Sequence, residues 1–366
     1  MSKGQIVKSM LVSTIIVLFL IISPVSIQNG IKKGRVSAFS TDEESFMGVI
    51  EIWHVAGFKA YSGAVGNLLK SCATDVSDRH FGVYFKVISM SETEYAERIA
   101  RGESADIYSL PLGFEYGDKF KVLDENDFFN VKQEILQTGA SDGSLLAVPY
   151  LYSGYCVAAN CEILKQEPDD IEPDILTDIC ANLSSEKHTA MSGDELCAAL
   201  YGFTGDIAPI EQFKSGYSEF AVTDFRTIGD IERKNADGKG FPLKIFPCSS
   251  YTDLVQYISF NSKITDEKCG YAYELLQNIL SSETQMKIAD MGAYTVIEGE
   301  DASALRDRYT SVAGELFTLY IKPRIPNSFS YRVCRDSLTA DAQAVLRKES
   351  DRNKLVDRID ELMHRS

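Results

Sequence analysis

The chain has 366 residues, 45% hydrophobic and 25% charged, the balance of a globular protein long enough for two domains of roughly 150 residues each. Its formal charge is −16; residues 1–38 hold five basic residues and no acid, so the remainder carries 32 basic against 53 acidic residues. A body that acidic argues against nucleic acid and an anionic membrane surface as partners.

Lys3 and Lys8 precede Met10 to Ile22, a nearly unbroken apolar run with the pattern of a signal peptide. It is short for a span of about 20 residues unless extended through Val25 and Ile27, so a cleaved leader and a retained anchor both stay open. No cysteine follows it to carry a lipid. Residues 1–38 thus read as a signal peptide or anchor plus tether, and the body is expected outside the cytoplasmic membrane, secreted or tethered to its outer face. The eight cysteines form no CxxC pair and no zinc-type set with histidine. Most are expected to be small buried hydrophobes. No metal or cofactor is implied.

The folded part begins at Gly48. Val49 to His54 reads as a first buried strand, Val55-Ala56-Gly57 as a loop, and Phe58 to Ala73 as a helix with Leu68 and Leu69 inward. Val83 to Ile88 is a second strand. Ser91 starts a helix that ends near Gly102, with Glu94 completing a capping box. Ala105 to Leu110 is a third strand. This alternation implies a parallel sheet with helices on its faces.

Asp142-Gly143 is a turn signal. Leu145 to Val148 is an apolar run of strand length, ended by Pro149, which has no N–H for a ladder. Tyr150, Tyr152 and Tyr155 surround Gly154, and a second strand, Cys156 to Ala159, ends at Asn160. Further on, a helix ends at Gly216 before a strand reaching Val222, and Phe241 to Pro247 and Ser259 to Asn261 are further strands. Glu267 to Leu280 is a helix with Ala272, Leu275, Leu276, Ile279 and Leu280 at helical spacing. Another starts at Ser281. The tail from Leu338 is helical, with Leu355, Ile359 and Leu362 on one face.

Six of these stretches, in this order, resemble the family-1 extracellular solute-binding proteins of bacterial ABC importers. They are Trp53-His54 closing the first strand, Gly102 to Ile107, Asp142 to Asn160 around Val148-Pro149-Tyr150, Phe213 to Val222, Phe241 to Pro247, and Ser281 to Gln285. The resemblance covers roughly residues 48–300. It implies an α/β, two-lobe periplasmic-binding-protein-like fold (type II), each lobe a mainly parallel sheet flanked by helices, with the ligand cleft between them. Lobe 1 would comprise residues 48–150 and 259–305, and lobe 2 residues 153–257 and 306–366, hinged near Pro149 and Ser259. The implied function is binding of a small solute, a sugar or oligosaccharide, by a non-enzymatic monomer that delivers it to the ABC permease membrane subunits.

Sites in such sheets form at the carboxyl ends of strands. Sugars bring C–H faces that stack on aromatic rings and hydroxyls that need directed polar partners. The residues just after the strands are therefore the ligand-binding candidates: His54, Gly57, Tyr108, Ser109, Tyr150, Tyr152, Tyr251 and Tyr294, with Asp253 and Phe225 as weaker additions. Trp53 is expected in the core. Eighteen tyrosines against a single tryptophan depart from the maltodextrin-type members, which stack sugars on several tryptophans, and leave the ligand class open.

Two other readings stand beside this one. A tethered sensor or scaffold could use the same fold with weak or no ligand binding. A secreted hydrolase would need a carboxylate pair roughly 5–9.5 Å apart across a cleft. The four histidines form no HExxH, and no GxSxG elbow or P-loop occurs. Asn235 to Gly240 resembles a calcium loop, but the twelfth position is Phe246, so a turn is expected. The acidic cluster Glu298, Glu300 and Asp301 reads as a solvated turn, and the sequon at Asn182 carries no function.

Overall fold

The computed structural model describes residues 46–114, 120–171, 195–203, 209–247, 251–298 and 324–364. The N-terminal apolar run, Cys180, Cys248, the Asn182 sequon and Glu300-Asp301 lie outside them. Among the described residues no helix is long and apolar enough to cross a membrane.

Two sheets organise the chain. The first is built from β1 (Gly48–Val55), β2 (Val83–Met90), β3 (Ile107–Pro111), β6 (Val148–Tyr152) and β10 (Val255–Phe260), in the order β2-β1-β3-β10-β6. β1 lies parallel to both β2 and β3; α1 (Val65–Ser77) joins β1 to β2, and α2 (Glu92–Ala100) joins β2 to β3. β10 runs antiparallel to both neighbours. The strands β3, β6 and β10 are buried along their whole length, as sheets covered on both faces require. Ser91 caps α2 as expected, accepting from the Glu94 amide at 3.1 Å.

α1 starts at Val65, seven residues later than its apolar content suggests. The intervening stretch stays an open loop because both its ends are pinned. Gly57 presses so closely on Pro111 that a Cβ there would lie 2.1 Å from the proline Cβ. Gly63 turns at φ +72°, and the Ser62 amide donates to the Met291 carbonyl at 2.9 Å.

Pro149 lies within β6 rather than ending the strand before it. The preceding apolar run splits: β4 (Ala140–Ser141) and β5 (Ser144–Leu145) form a hairpin over Asp142-Gly143, both with positive φ. β6 is the last strand of its sheet, where a missing N–H is tolerated. The pairing with β10 slips there, between Gln256 and Tyr257. The Tyr150 carbonyl, freed by that slip, accepts instead from the buried Gln285 amide at 3.0 Å.

The second sheet has the order β8-β7-β9, from β7 (Tyr155–Asn160), β8 (Phe220–Asp224) and β9 (Leu243–Pro247). Both pairings are antiparallel, which corrects the expected mainly parallel arrangement for this half. The reason is topological. β8 and β9 are joined by α7 (Phe225–Ala236) in a βαβ unit and run the same way, but β7 lies between them in the opposite direction. Asn160 caps the short helix α4 (Cys161–Leu164), accepting from the Glu162 and Ile163 amides.

The chain passes between the sheets at Ser153-Gly154, after β6, and again between β9 and β10. The crossings therefore lie a few residues away from Pro149 and Ser259, which sit inside strands of the first sheet. They run side by side: the Ser153 amide donates to the Leu254 carbonyl at 2.8 Å, and the Thr252 hydroxyl to the Ser153 carbonyl at 2.7 Å. α8 (Asp266–Ile279) and α9 (Ser282–Asp290) follow β10, capped by Thr265 and Ser281. The closing helices α10 (Ser328–Leu346) and α11 (Arg352–His364) pack on α5 (Glu195–Tyr201), with Leu355, Ile359 and Leu362 buried. Cys72, Cys156, Cys161, Cys197 and Cys269 are buried.

Candidate functional site

β1 delivers its last residues, Trp53, His54 and Val55, into the interior, and the loop after it climbs to the start of α1. That loop, the end of β2 and the first turn of α7 enclose a cavity of about 360 Å³, lined among others by His54, Lys59, Gly66, Ser89 and Arg226. Arg226 follows β8 of the second sheet, whereas the others belong to the first sheet and its connections. The cavity therefore lies between the two halves.

His54 is 3% exposed. Its Nδ1 lies 2.9 Å from Ser109 Oγ, which is also 2.9 Å from the Tyr150 hydroxyl and 3.2 Å from Gln256 Nε2. Proton accounting fixes the direction of these bonds. The Gln256 amide is oriented by its other contacts, Nε2 donating to the Val55 carbonyl at 2.8 Å and Oε1 accepting from the Gly57 amide at 3.3 Å. Nε2 is thus a donor toward Ser109. The Tyr150 hydroxyl is fully buried, and Ser109 Oγ is its hydrogen-bond partner, so it donates there too. Ser109 then has both lone pairs filled and gives its own proton to His54 Nδ1. The imidazole proton consequently sits on Nε2, the edge turned toward Gly66 and the cavity; a Cβ on Gly66 would lie 3.2 Å from His54 Cδ2 and 3.6 Å from Nε2. Burial, and then the Lys70 charge, lower His54 to about 4, so the ring is neutral near pH 7.

The expected site residues thus separate into groups. His54, Ser109 and Tyr150 are brought together in one hydrogen-bonded chain, with Gly57 tied to it through Gln256; of the side chains, only His54 reaches the cavity. Tyr152 and Tyr294 stack with ring centres 5.0 Å apart and exchange backbone hydrogen bonds, and Phe225 meets Tyr294 edge-on at 5.6 Å. This aromatic trio sits where β6 leaves the first sheet and α7 begins. Tyr108 is elsewhere: its hydroxyl accepts from the Ala105 amide and from Asn261, and its ring meets Trp53 edge-on in the core. Tyr251 is buried in a bridge with Arg324. Asp253, beside the second crossing, accepts from the Tyr155 and Tyr331 hydroxyls, each at 2.7 Å.

The sequence reading missed Lys59, Tyr61, Arg226, Glu232 and Arg233. Tyr61 reaches from the β1–α1 loop onto α7, where its hydroxyl donates to Glu232 and its carbonyl accepts from Arg233 at 3.1 Å. The Arg233 guanidinium lies 5.7 Å from the Tyr61 ring centre. Burial pushes Glu232 upward, against the pull of the Tyr61 hydrogen bond and the Arg233 charge. The signal for Lys59 and Tyr61 was their place immediately after a strand end, hidden once that stretch was read as helix.

No protein-family profile matches this sequence, and no curated protein matches it. Solved structures do. Maltose-bound T. maritima MalE3 is 14% identical, with a TM-score of 0.58, covering 86% of this chain and 98% of its own. The cyclic alpha-maltosyl-1,6-maltose binding protein from Arthrobacter globiformis is 12% identical, with a TM-score of 0.61 and coverages of 87% and 98%. An ABC substrate-binding protein from Listeria monocytogenes, in complex with cycloalternan, is 12% identical at a TM-score of 0.58, with coverages of 87% and 98%. This chain has the two-lobe, periplasmic-binding-protein-like fold of those proteins along nearly their whole length.

Proposed function

We propose that the protein is the extracytoplasmic solute-binding component of an ABC importer, holding a sugar or oligosaccharide between its lobes and handing it to the permease. The observation that carries this reading is the cavity between the β1–α1 loop and α7, built by residues from both halves of a fold shared with sugar-binding proteins. The lobes would be residues 48–150 with 259–305, and 153–257 with 306–366, bending at the paired crossings Ser153-Gly154 and Thr252 to Leu254. Ligand binding then draws the lobes together, because the closed form contacts it from both sides.

The test is titration of the full chain, in mild detergent, with mono- and oligosaccharides, amino acids and polyamines, read by thermal shift. A ligand at 100 times its Kd should stabilise the protein by about 2.7 kcal/mol. Stabilisation only by amino acids or amines would overturn the sugar assignment.

Tyr61 favours a second reading. A side chain of the protein's own loop already spans the two halves and is held by Glu232 and Arg233. A sensor or scaffold that stays closed without solute would be built this way. Failure of every solute to shift the melting temperature would select it.

A further inference from the structure

The cavity between the halves carries a donor that no described residue accepts from. Gln256 and Tyr150 fill the lone pairs of Ser109, Ser109 donates to His54 Nδ1, and the remaining proton sits on Nε2. No described residue accepts it, and the side chain is 97% buried by its 3% exposure. The rest of the lining has the same polarity. α1 begins at the cavity with Ala64 as its N-cap, no capping side chain and no acid in its first turn. Among the described residues nothing accepts from the Val65 and Gly66 amides. Gly66 has no side chain to close the space between its backbone and His54. Lys59 lines the cavity, and among the described residues no carboxylate pairs with it. Arg226 lines it from the other half and shares the single carboxylate Asp230 with Arg233, at 3.2 and 2.7 Å. Among the described residues no carboxylate lines the cavity, although acids outnumber bases 53 to 37 in this chain.

A neutral sugar hydroxyl would satisfy one donor here, but it would carry no charge to meet the positive field of Lys59, Arg226 and the helix N-terminus, and would leave the remaining N–H groups unpaired. An oxyanion answers all of them, with several acceptor lone pairs and a negative charge. We propose that the solute is an acidic sugar whose carboxylate or phosphate occupies this cavity. His54 Nε2 and the Val65 and Gly66 amides bind the oxyanion, and Lys59 and Arg226 balance its charge. This rests on the solute-binding reading and narrows its substrate class.

The experiment is calorimetric titration of the full chain with galacturonate, glucuronate and glucose 6-phosphate. Their neutral parents galactose and glucose, the neutral oligosaccharides maltotriose and raffinose, and sodium acetate and inorganic phosphate alone complete the panel. At least one acidic sugar should bind ten-fold or more tighter than its parent; the uronates and the sugar phosphate distinguish a carboxylate from a phosphate ligand. Lys59→Gln and Arg226→Gln should each reduce that preference below three-fold. Lys59 is exposed, so its variant keeps the test valid if Arg226→Gln does not fold. Arg335→Gln, in a separate groove beside Glu92 and Tyr95, should leave the preference unchanged. Binding of neutral sugars as tightly as acidic ones overturns the proposal and leaves the sugar reading standing. Acetate or phosphate alone binding as tightly as the acidic sugars also overturns it, because the sugar would then contribute nothing. No binding by either class of sugar removes both.

Discussion

Gly229 of α7 lies directly against Tyr61 of the β1–α1 loop: a Cβ on the glycine would sit 2.8 Å from the tyrosine carbonyl oxygen and 2.9 Å from its Cδ2. The two residues are far apart in sequence and belong to opposite halves of the molecule. Their contact leaves no room for a single methyl group between them.

Gly229→Ala should therefore push the loop off α7. Alanine is the better helix former by about 1 kcal/mol, but overpacking against a backbone oxygen costs about 1–3 kcal/mol. A net loss of stability, or none, is expected in urea unfolding. A radius of gyration larger than wild type is expected by small-angle scattering. A variant as compact as wild type would mean that the loop yields without the halves parting.

Tyr61→Phe tests the same contact through its hydroxyl. It removes the hydrogen bond to Glu232 and should cost about 1 kcal/mol at pH 7, the order of one charge-assisted bond at a half-exposed site. Burial holds Glu232 above its ordinary value, so the folded state binds this proton more readily than the unfolded chain does. Glu232 therefore lowers stability as pH rises through its folded value, and the loss of the Tyr61 bond deepens that fall. The difference between wild type and Tyr61→Phe should shrink as the pH is lowered and the carboxyl takes up its proton in both.

His54 gives the opposite pH signature. Its folded value of about 4 lies below its ordinary 6.5, so the unfolded chain takes up the proton first. Stability is full above about pH 6.5 and falls as pH drops toward 4. The loss is about 3 kcal/mol if His54 alone is counted. Unfolding free energies measured across this range should show a slope that His54→Gln flattens. An unchanged slope in the variant would place the titration elsewhere.

Ser109→Ala removes the node of the buried chain and leaves His54 Nδ1, the Tyr150 hydroxyl and one Gln256 N–H without their partner. A cost of about 2–4 kcal/mol is expected in chemical denaturation, because unpaired buried polar groups carry their full desolvation penalty. Tyr108→Phe should cost less, about 1–2 kcal/mol. Its hydroxyl serves the Ala105 amide and an Asn261 amide that also bonds the Ala105 carbonyl.

Local chemistry was legible in the sequence wherever one residue settles one backbone group. Ser91, Asn160 after its strand, Gly216 at φ +76° and Ser281 before α9 all stand where their side chains, or the lack of one, require, whereas the Glu94 carboxylate turns to Arg98 and leaves the capping box half made. The buried Gln285 could be placed in its helix, but its bridge from the Tyr150 and Ile279 carbonyls to the Val296 amide depends on tertiary structure. The site was less legible for a physical reason. A strand end in a sheet covered on both faces can point into the core or into a cleft, and tyrosine suits either. Tyr108, Tyr150, Tyr152 and Tyr251 are all 2% exposed or less. The loop that forms the cavity was hidden because Phe58, Ala60 and Tyr61 have the apolar spacing of a first helical turn. Only tertiary contacts, Gly57 on Pro111 and Ser62 on Met291, keep it from continuing α1. On α7 the neighbour of the suspected residue faces the cavity, since Phe225 turns to Tyr294 and Arg226 lines the space.

Trp53 lies in the core of the first sheet, 1% exposed, its indole N–H bonded to Glu51 at 2.7 Å and its ring beneath the Arg98 guanidinium. As the sole tryptophan, it makes the protein's own fluorescence a report from one half of the molecule. Circular dichroism, by contrast, sums helices from both. Recorded together during denaturation, the two signals form an internal clock: coincident curves mean that the halves melt as one unit, and a tryptophan transition that lags or leads shows which half gives way first.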